Sequence, residues 1–300
     1  YHYLNQLGHT VRMILPSDYP PAFAWMHSIN DILIYDLDPD TCKQAIAYAD
    51  IVFCLDFNAL DRIDKVGELI ADRPNAIKIM IDHHLDPEPF MDYSLSDTTA
   101  SSTCELVYDF INLLGDAKRL NPIIGECLYT GIVTDTGSFK YATSAKLFRT
   151  VAALKELGID DYYVQDAIFN SLVAKNLRLL GHCLHNRMEI LPEYKTGIIS
   201  LTKQDYVDFD IQRGDTEGIV NYLLMLREIK IAALITEQPT IVKFSLRSKG
   251  DFSVQEICRK HFNGGGHKNA SGGHLHISLH GAIRKFKEVL PVYKDKLNHA

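Results

Sequence analysis

Short apolar runs alternate with helix-spaced segments through the first half of the chain. Residues 10–15 and 31–35 read as short strands. Residues 51–55 form a continuous apolar strand ending at Asp56, and residues 76–81 form another ending at Asp82-His83-His84. Between them, residues 41–49 and 62–72 carry apolar positions at helical spacing, the first with Asp40 or Thr41 as its N-cap. This alternation builds a mostly parallel sheet with helices on both faces, because a parallel crossover needs a helix-length connection. A helix over 101–114, started by Ser101 or Ser102, follows. Asn121-Pro122 opens another that runs towards Thr134-Asp135-Thr136-Gly137, with Asp135 in the turn after the buried run.

From Ser144 to about Met188 the pattern is almost wholly helical. Strands then restart at 197–201, 231–236 and 241–246. A helix over 254–262, a glycine cluster, a strand near 273–278 and a last helix over 282–296 complete the chain. The reading is an α/β protein in three parts: a mostly parallel domain over 1–155, a helical connector over 156–187, and a smaller α/β domain over 188–300. Residues 1–7 look like the last turns of a helix closed by Gly8. A doubly wound domain places a strand before such a helix, so a segment of roughly 20 to 30 residues is expected upstream.

Composition fits this picture. The chain has 300 residues, 46% hydrophobic and 23% charged, enough for two cores. No apolar run approaches the roughly 18 residues of a membrane span, and the first residues do not read as a signal peptide. The net charge of −7 and pI of about 6.0 argue against coating long duplex nucleic acid and for a small anionic substrate held in a local positive site. Six scattered cysteines without a CxxC read as reduced thiols of a cytoplasmic protein.

Acidic and imidazole groups gather at the carboxyl ends of the strands, the edge that forms the binding crevice of an open parallel sheet. Asp56, the Asp82-His83-His84 triplet and Asp135 are the candidates. Aspartate and histidine together suit divalent ions such as Mn²⁺, and two such ions close together bind phosphoryl oxygen and generate hydroxide. Singly, each has an ordinary explanation: a turn residue, a solvated loop, an Asx-turn. Their shared edge is what points to metal. The glycine cluster joins Gly264, Gly265 and Gly266 to His267 and Ser271, a loop in which backbone N–H groups can approach an anion. Arg247 and Ser248, after the strand at 241–246, add a guanidinium suited to phosphate.

In this order the motifs resemble the DHH/DHHA1 phosphoesterases, most closely the nanoRNase and 3′-phosphoadenosine 5′-phosphate phosphatase branch, related to RecJ-like exonucleases and cyclic-di-AMP phosphodiesterases. The carriers are Asp56, Asp82-His83-His84, the run from Gly131 to Gly137, and Gly264-Gly265-Gly266-His267, and the resemblance covers essentially the whole chain. It implies Asp56 as a carboxylate bridging two Mn²⁺ ions, and His83 and Asp135 as ligands of one of them. Asp82 would orient a histidine from behind, and His84 would face the scissile phosphate. Arg247, Ser248, Gly264, Gly265, Gly266, His267 and Ser271 would hold the substrate.

The implied activity is Mn²⁺-dependent hydrolysis of short RNA, 3′-phosphoadenosine 5′-phosphate or linear dinucleotides by a homodimer without membrane attachment. Alternatives are a phosphodiesterase acting directly on a cyclic dinucleotide, and a nucleotide sensor with a degraded metal site. Family II inorganic pyrophosphatases share the triplet but carry Ser-Arg-Lys in their second domain, where this chain has Arg247-Ser248-Lys249. One departure stands out. The family opens with H-x-x-x-D-x-D just before the helix that residues 1–7 resemble, and this motif, which supplies three metal ligands, is absent from the chain.

Overall fold

The alternation read from the sequence becomes parallel sheet in the computed structural model. It describes residues 1–73, 75–212 and 214–299 and divides into two units, Tyr1–Ser171 and Leu172–Ala300. Unit 1 runs α1 (His2–Gln6), β1 (Met13–Leu15), β2 (Ile32–Ile34), α2 (Pro39–Ala47), β3 (Ile51–Leu55), α3 (Asp64–Ala71), β4 (Ile77–Asp82) and β5 (Tyr93–Ser96). Helices α4 (Thr103–Leu113), α5 (Pro122–Thr136), α6 (Ala145–Glu156) and α7 (Asp161–Phe169) follow. Strands β1 and β2 pair in parallel, and so do β3, β4 and β5 in that order.

The central strand β4 is buried on both faces. Met80 packs with Ile46, Val66 and Ile70 from α2 and α3, while Ile81 packs with Ala100 and Leu106 at α4. Leu55 lies opposite Ile81, so β3 and β4 end side by side and their carboxyl-terminal residues Asp56 and Asp82 become neighbours. Helix α5 is apolar nearly all round because α4, α6 and α7 pack about it.

Several boundaries differ from the sequence reading. Asp38, not Asp40 or Thr41, caps α2, since Pro39 occupies the first helical position and the Asp38 carboxylate accepts from the Thr41 amide at 3.1 Å. Strand β5, with the sequence YSLS, carries too few apolar residues to announce itself, and edge strand β6 (Met188–Leu191) is a four-residue run that directly follows a helical stretch. The helical stretch from Ser144 is three helices, α6, α7 and α8 (Ala174–Asn186).

Unit 2 continues after α8 with β6, β7 (Thr196–Leu201), α9 (Lys203–Asp208), α10 (Ile219–Leu224), β8 (Ile231–Glu237), β9 (Val242–Ser248) and α11 (Val254–His261). It ends with β10 (Gly265–His267), β11 (Ala270–Leu275), α12 (Leu279–Val289) and α13 (Lys294–His299). Six strands form one mixed sheet in the order β10-β11-β9-β8-β7-β6, with only β7 and β8 parallel. One face packs on α11 and α12 around Phe244, Phe262 and Phe286, and the other packs on α8 and α10 around Ile199, Leu223 and Leu234. The glycine cluster is not a loop. Gly265–His267 is a strand, hairpin-paired to β11. Likewise Arg247 and Ser248 lie inside β9 rather than after it.

The six cysteines are all free thiols. Among the described residues no helix is long and apolar enough to cross a membrane.

Candidate metal centre

Asp56 follows β3 directly with φ of 66°, a left-handed conformation that aspartate tolerates better than most residues. Its amide donates to Ile81 O at 3.2 Å, which holds the turn against β4. One strand over, the Asp82, His83 and His84 side chains are all buried. Asp135 comes from α5. Contrary to the turn expected, it lies in that helix's last turn, and Gly137 with φ of 55° closes the helix two residues later.

These groups converge. His83 Nε2 lies 3.6 Å from Asp56 Oδ1 and 3.6 Å from Asp135 Oδ2. His83 Nδ1 faces Ala100 O at 3.2 Å, so Nδ1 carries a proton, and in the neutral ring Nε2 turns its lone pair towards the two carboxylates. Three acceptors facing one point repel one another unless a cation sits among them. Atoms bound about 2.1 Å from one cation lie about 3 to 3.5 Å apart, so the observed spacings fit a slightly expanded ligand set. The donor set of two carboxylates and one imidazole suits a divalent cation of intermediate hardness.

Electrostatics agree. Burial, then the Asp56 charge beside it, pushes the Asp135 carboxyl up to about 7, with His84 opposing the rise. Asp82 behaves differently. Burial opposes its ionisation, but His84 outweighs this through its amide at 3.0 Å and its Nδ1 at 2.7 Å, and holds Asp82 below the usual carboxylate range. His84 is thereby fixed by two contacts to one carboxylate.

Sequence reasoning missed Thr103. Its hydroxyl donates to Asp56 Oδ1 at 2.8 Å, the same oxygen that faces His83. Ser101-Ser102-Thr103 reads in sequence only as the start of a helix. Ser102 does cap α4, accepting from the Glu105 amide. The same short segment supplies Ala100 O to His83 and the Thr103 hydroxyl to Asp56. Cys104 next door is no nucleophile, since burial pushes its thiol up to about 12.

In unit 2, the hydroxyls of Ser248 and Ser271 are buried and engaged with backbone: Ser248 Oγ donates to Phe252 O at 2.7 Å, and Ser271 Oγ donates to His267 O at 2.7 Å. Gly264 is glycine because strands crowd it. A Cβ there would lie 1.9 Å from Gly272 O. Arg247, Ala270 and His267 stand opposite one another across β9, β11 and β10, which puts the guanidinium and the imidazole on one face with a small residue between.

Two family models match the chain. The DHH family N-terminal domain covers residues 1–132, which hold Asp56 and the Asp82-His83-His84 triplet, and the DHHA1 domain covers residues 199–292. A crystal structure of an exopolyphosphatase-related protein from Bacteroides fragilis superposes with a TM-score of 0.94 at 37% identity, over 99% of this chain and 87% of that one. The chain belongs to the DHH/DHHA1 phosphoesterase family.

Members of this family are hydrolases that act on phosphate esters. The bifunctional oligoribonuclease and PAP phosphatase NrnA of Bacillus subtilis is 27% identical over 261 residues, 85% of this chain and 76% of its own length. The cyclic-di-AMP phosphodiesterase GdpP of Bacillus subtilis is 28% identical over 226 residues, 72% of this chain but 32% of its own length.

Proposed function

We propose that this DHH/DHHA1 phosphoesterase uses Mn²⁺ to hydrolyse short oligoribonucleotides and 3′-phosphoadenosine 5′-phosphate. The observation that carries the reading is the convergence of Asp56, His83 and Asp135 on one point, beside the Asp82–His84 pair. Relatives named as oligoribonuclease and PAP phosphatase match over 65 to 76% of their length, whereas GdpP matches over 32%. That difference favours the short-RNA and bisphosphate substrates over the cyclic dinucleotide.

Asp56, His83 and Asp135 would hold the ion. Bound there, a divalent cation supplies Lewis acidity towards phosphoryl oxygens and lowers the pKa of a coordinated water. The protein's own residues do the rest. Ala100 O fixes the His83 tautomer, and Thr103 fixes the Asp56 carboxylate. His84, anchored through Nδ1 to Asp82, presents Nε2 to stabilise charge on the phosphoryl group or to protonate the leaving oxygen. Arg247 and His267 bind a phosphate of the substrate.

The test is an assay of the full-length chain with Mn²⁺ against a dinucleotide, 3′-phosphoadenosine 5′-phosphate and cyclic-di-AMP. Turnover of the first two is expected. Silence on all three, with metal shown to be bound, rejects the proposal, and preference for the cyclic compound replaces it with the phosphodiesterase alternative.

A further inference from the structure

The Arg247 side of the unit 2 sheet carries more than the phosphate contacts expected from sequence. Directly paired residues on antiparallel strands project from the same face, so the register fixes three rows. Arg247, Ala270 and His267 form the first row. Ser245, Gly272 and Gly265 form the second, and Lys243 and His274 form the third. The alternate residues Phe244, Leu246 and Leu275 point into the core on the opposite face.

The third row offers an exposed ammonium and a half-buried imidazole. Neither Lys243 nor His274 is ion-paired to another described residue. The His276 ring, 5.7 Å from that of His274, adds a further donor at the same end.

The middle row is flat, and packing does not explain why. A Cβ on Gly265 would meet nothing within 4 Å, and one on Gly272 would reach only ordinary contact with Phe244 O at 3.6 Å. Neither glycine has a left-handed φ. This contrasts with Gly264, which the neighbouring strand forbids from carrying a side chain. The fold tolerates larger residues at 265 and 272, and their absence keeps the surface open between two groups of donors. The outer rows are four residues apart along β9, about 13 Å at the usual rise per strand residue.

We propose that Lys243 and His274 form a second phosphate subsite, which takes a phosphate further along a short single-stranded oligonucleotide than the one held at Arg247 and His267. The proposal rests on the phosphoesterase reading above and refines its substrate. The two nucleosides between these phosphates, with the phosphate that joins them, lie over Gly265 and Gly272. A single internucleotide step is too short to engage both ends, so a dinucleotide uses the first row alone and a longer RNA uses both. The subsite therefore selects for oligonucleotides over dinucleotides.

The experiment compares kcat/KM for a dinucleotide and a tetranucleotide RNA on the Mn²⁺-loaded chain, as wild type, Lys243→Glu and Gly272→Leu. Lys243→Glu is expected to lower tetranucleotide kcat/KM about tenfold through KM and to flatten its salt dependence by about one unit of slope. Dinucleotide turnover should stay within about twofold, which also serves as the control for folding. Gly272→Leu, which fills the open floor without a new charge and meets only ordinary contact with Phe244 O, should show the same selectivity. Equal losses on both substrates, or no loss on the tetranucleotide, overturn the subsite. A wild-type enzyme that turns over neither substrate overturns the phosphoesterase reading, and the subsite falls with it.

Discussion

Gly131 is where helix α5 presses on α4, and replacing it tests how tightly the proposed metal centre depends on that contact. A Cβ at 131 would lie 2.2 Å from Cys104 Sγ and 2.9 Å from Cys104 Cβ. Ordinary contacts between such atoms are about 3.5 to 4.0 Å, so Gly131→Ala must push the helices apart by roughly 1 Å or more. Overpacking of this kind costs about 1 to 3 kcal/mol, while alanine recovers about 1 kcal/mol of helix propensity over glycine. The net loss is about 0 to 2 kcal/mol, a fall in Tm of a few degrees at about 2 to 4 °C per kcal/mol.

Function should suffer far more than stability. Cys104 adjoins Thr103, which holds Asp56, and Gly131 lies one turn before Asp135 on the same helix. Displacing catalytic groups by about 1 Å costs on the order of 100-fold in rate. Gly131→Ala should therefore lower kcat/KM on a dinucleotide about 100-fold and weaken Mn²⁺ binding by calorimetry, with a melting curve near that of the wild type. Adding Cys104→Ala removes the 2.2 Å clash but leaves the one at 2.9 Å, so it should restore activity in part. A Gly131→Ala enzyme with wild-type metal affinity and kcat/KM would refute the claim that this helix contact sets the spacing of the metal ligands.

Three further outcomes follow from the same geometry. Thr103→Val removes the hydroxyl that holds Asp56 and should weaken Mn²⁺ binding about tenfold, whereas Thr103→Ser should bind nearly as the wild type, as calorimetry will show. Asp82→Asn cannot accept from both the His84 amide and its ring nitrogen, so kcat should fall by about 100-fold or more with little change in KM. In metal-free protein the Asp135 carboxyl keeps its proton up to about pH 7, while the unfolded chain loses it near 3.8. The native state therefore holds the extra proton between those values, and stability falls as pH rises from about 4 to 7. Asp135→Asn should accordingly be more stable than metal-free wild type above pH 7 and indistinguishable from it near pH 4, by thermal melting at each pH. Equal differences at both would contradict this.

Much of the fold was legible because its signals were local. The apolar run at 51–55 and the triplet after 76–81 announced two strands and their carboxyl ends, and parallel topology puts such ends at one edge. The helix starts near Ser101 or Ser102 and at Asn121-Pro122 were also legible, with Ser102 the cap of the first. What escaped was set by partners distant in sequence. Asp135 looked like a turn residue because Thr-Asp-Thr-Gly also suits an Asx-turn, and only packing against α4, α6 and α7 extends the helix through it. Thr103 gave no sign of its bond to Asp56, 47 positions away. The glycine cluster read as an anion loop because glycine's freedom is visible in sequence, whereas the backbone of the paired strand that crowds Gly264 is not.

Net charge is the clearest case of an average that conceals a division. The chain carries −7 overall, but unit 1 holds 12 basic and 25 acidic residues and unit 2 holds 19 basic and 13 acidic, or −13 and +6. Read as one number, the charge argues only for a modest anionic ligand. Read by unit, it separates two demands that conflict within one surface. The acidic unit concentrates cations where Asp56 and Asp135 converge on His83, and it would repel a nucleotide on its own. The basic unit, with Arg247 and Lys243 on one sheet face, supplies the attraction that a polyanion needs and would repel a metal ion. Placing the two preferences on separate units lets one chain gather ligands of opposite sign, each at the surface built for it. The segregation, rather than the total, is the electrostatic property that matches the proposed metal-assisted hydrolysis of a nucleotide.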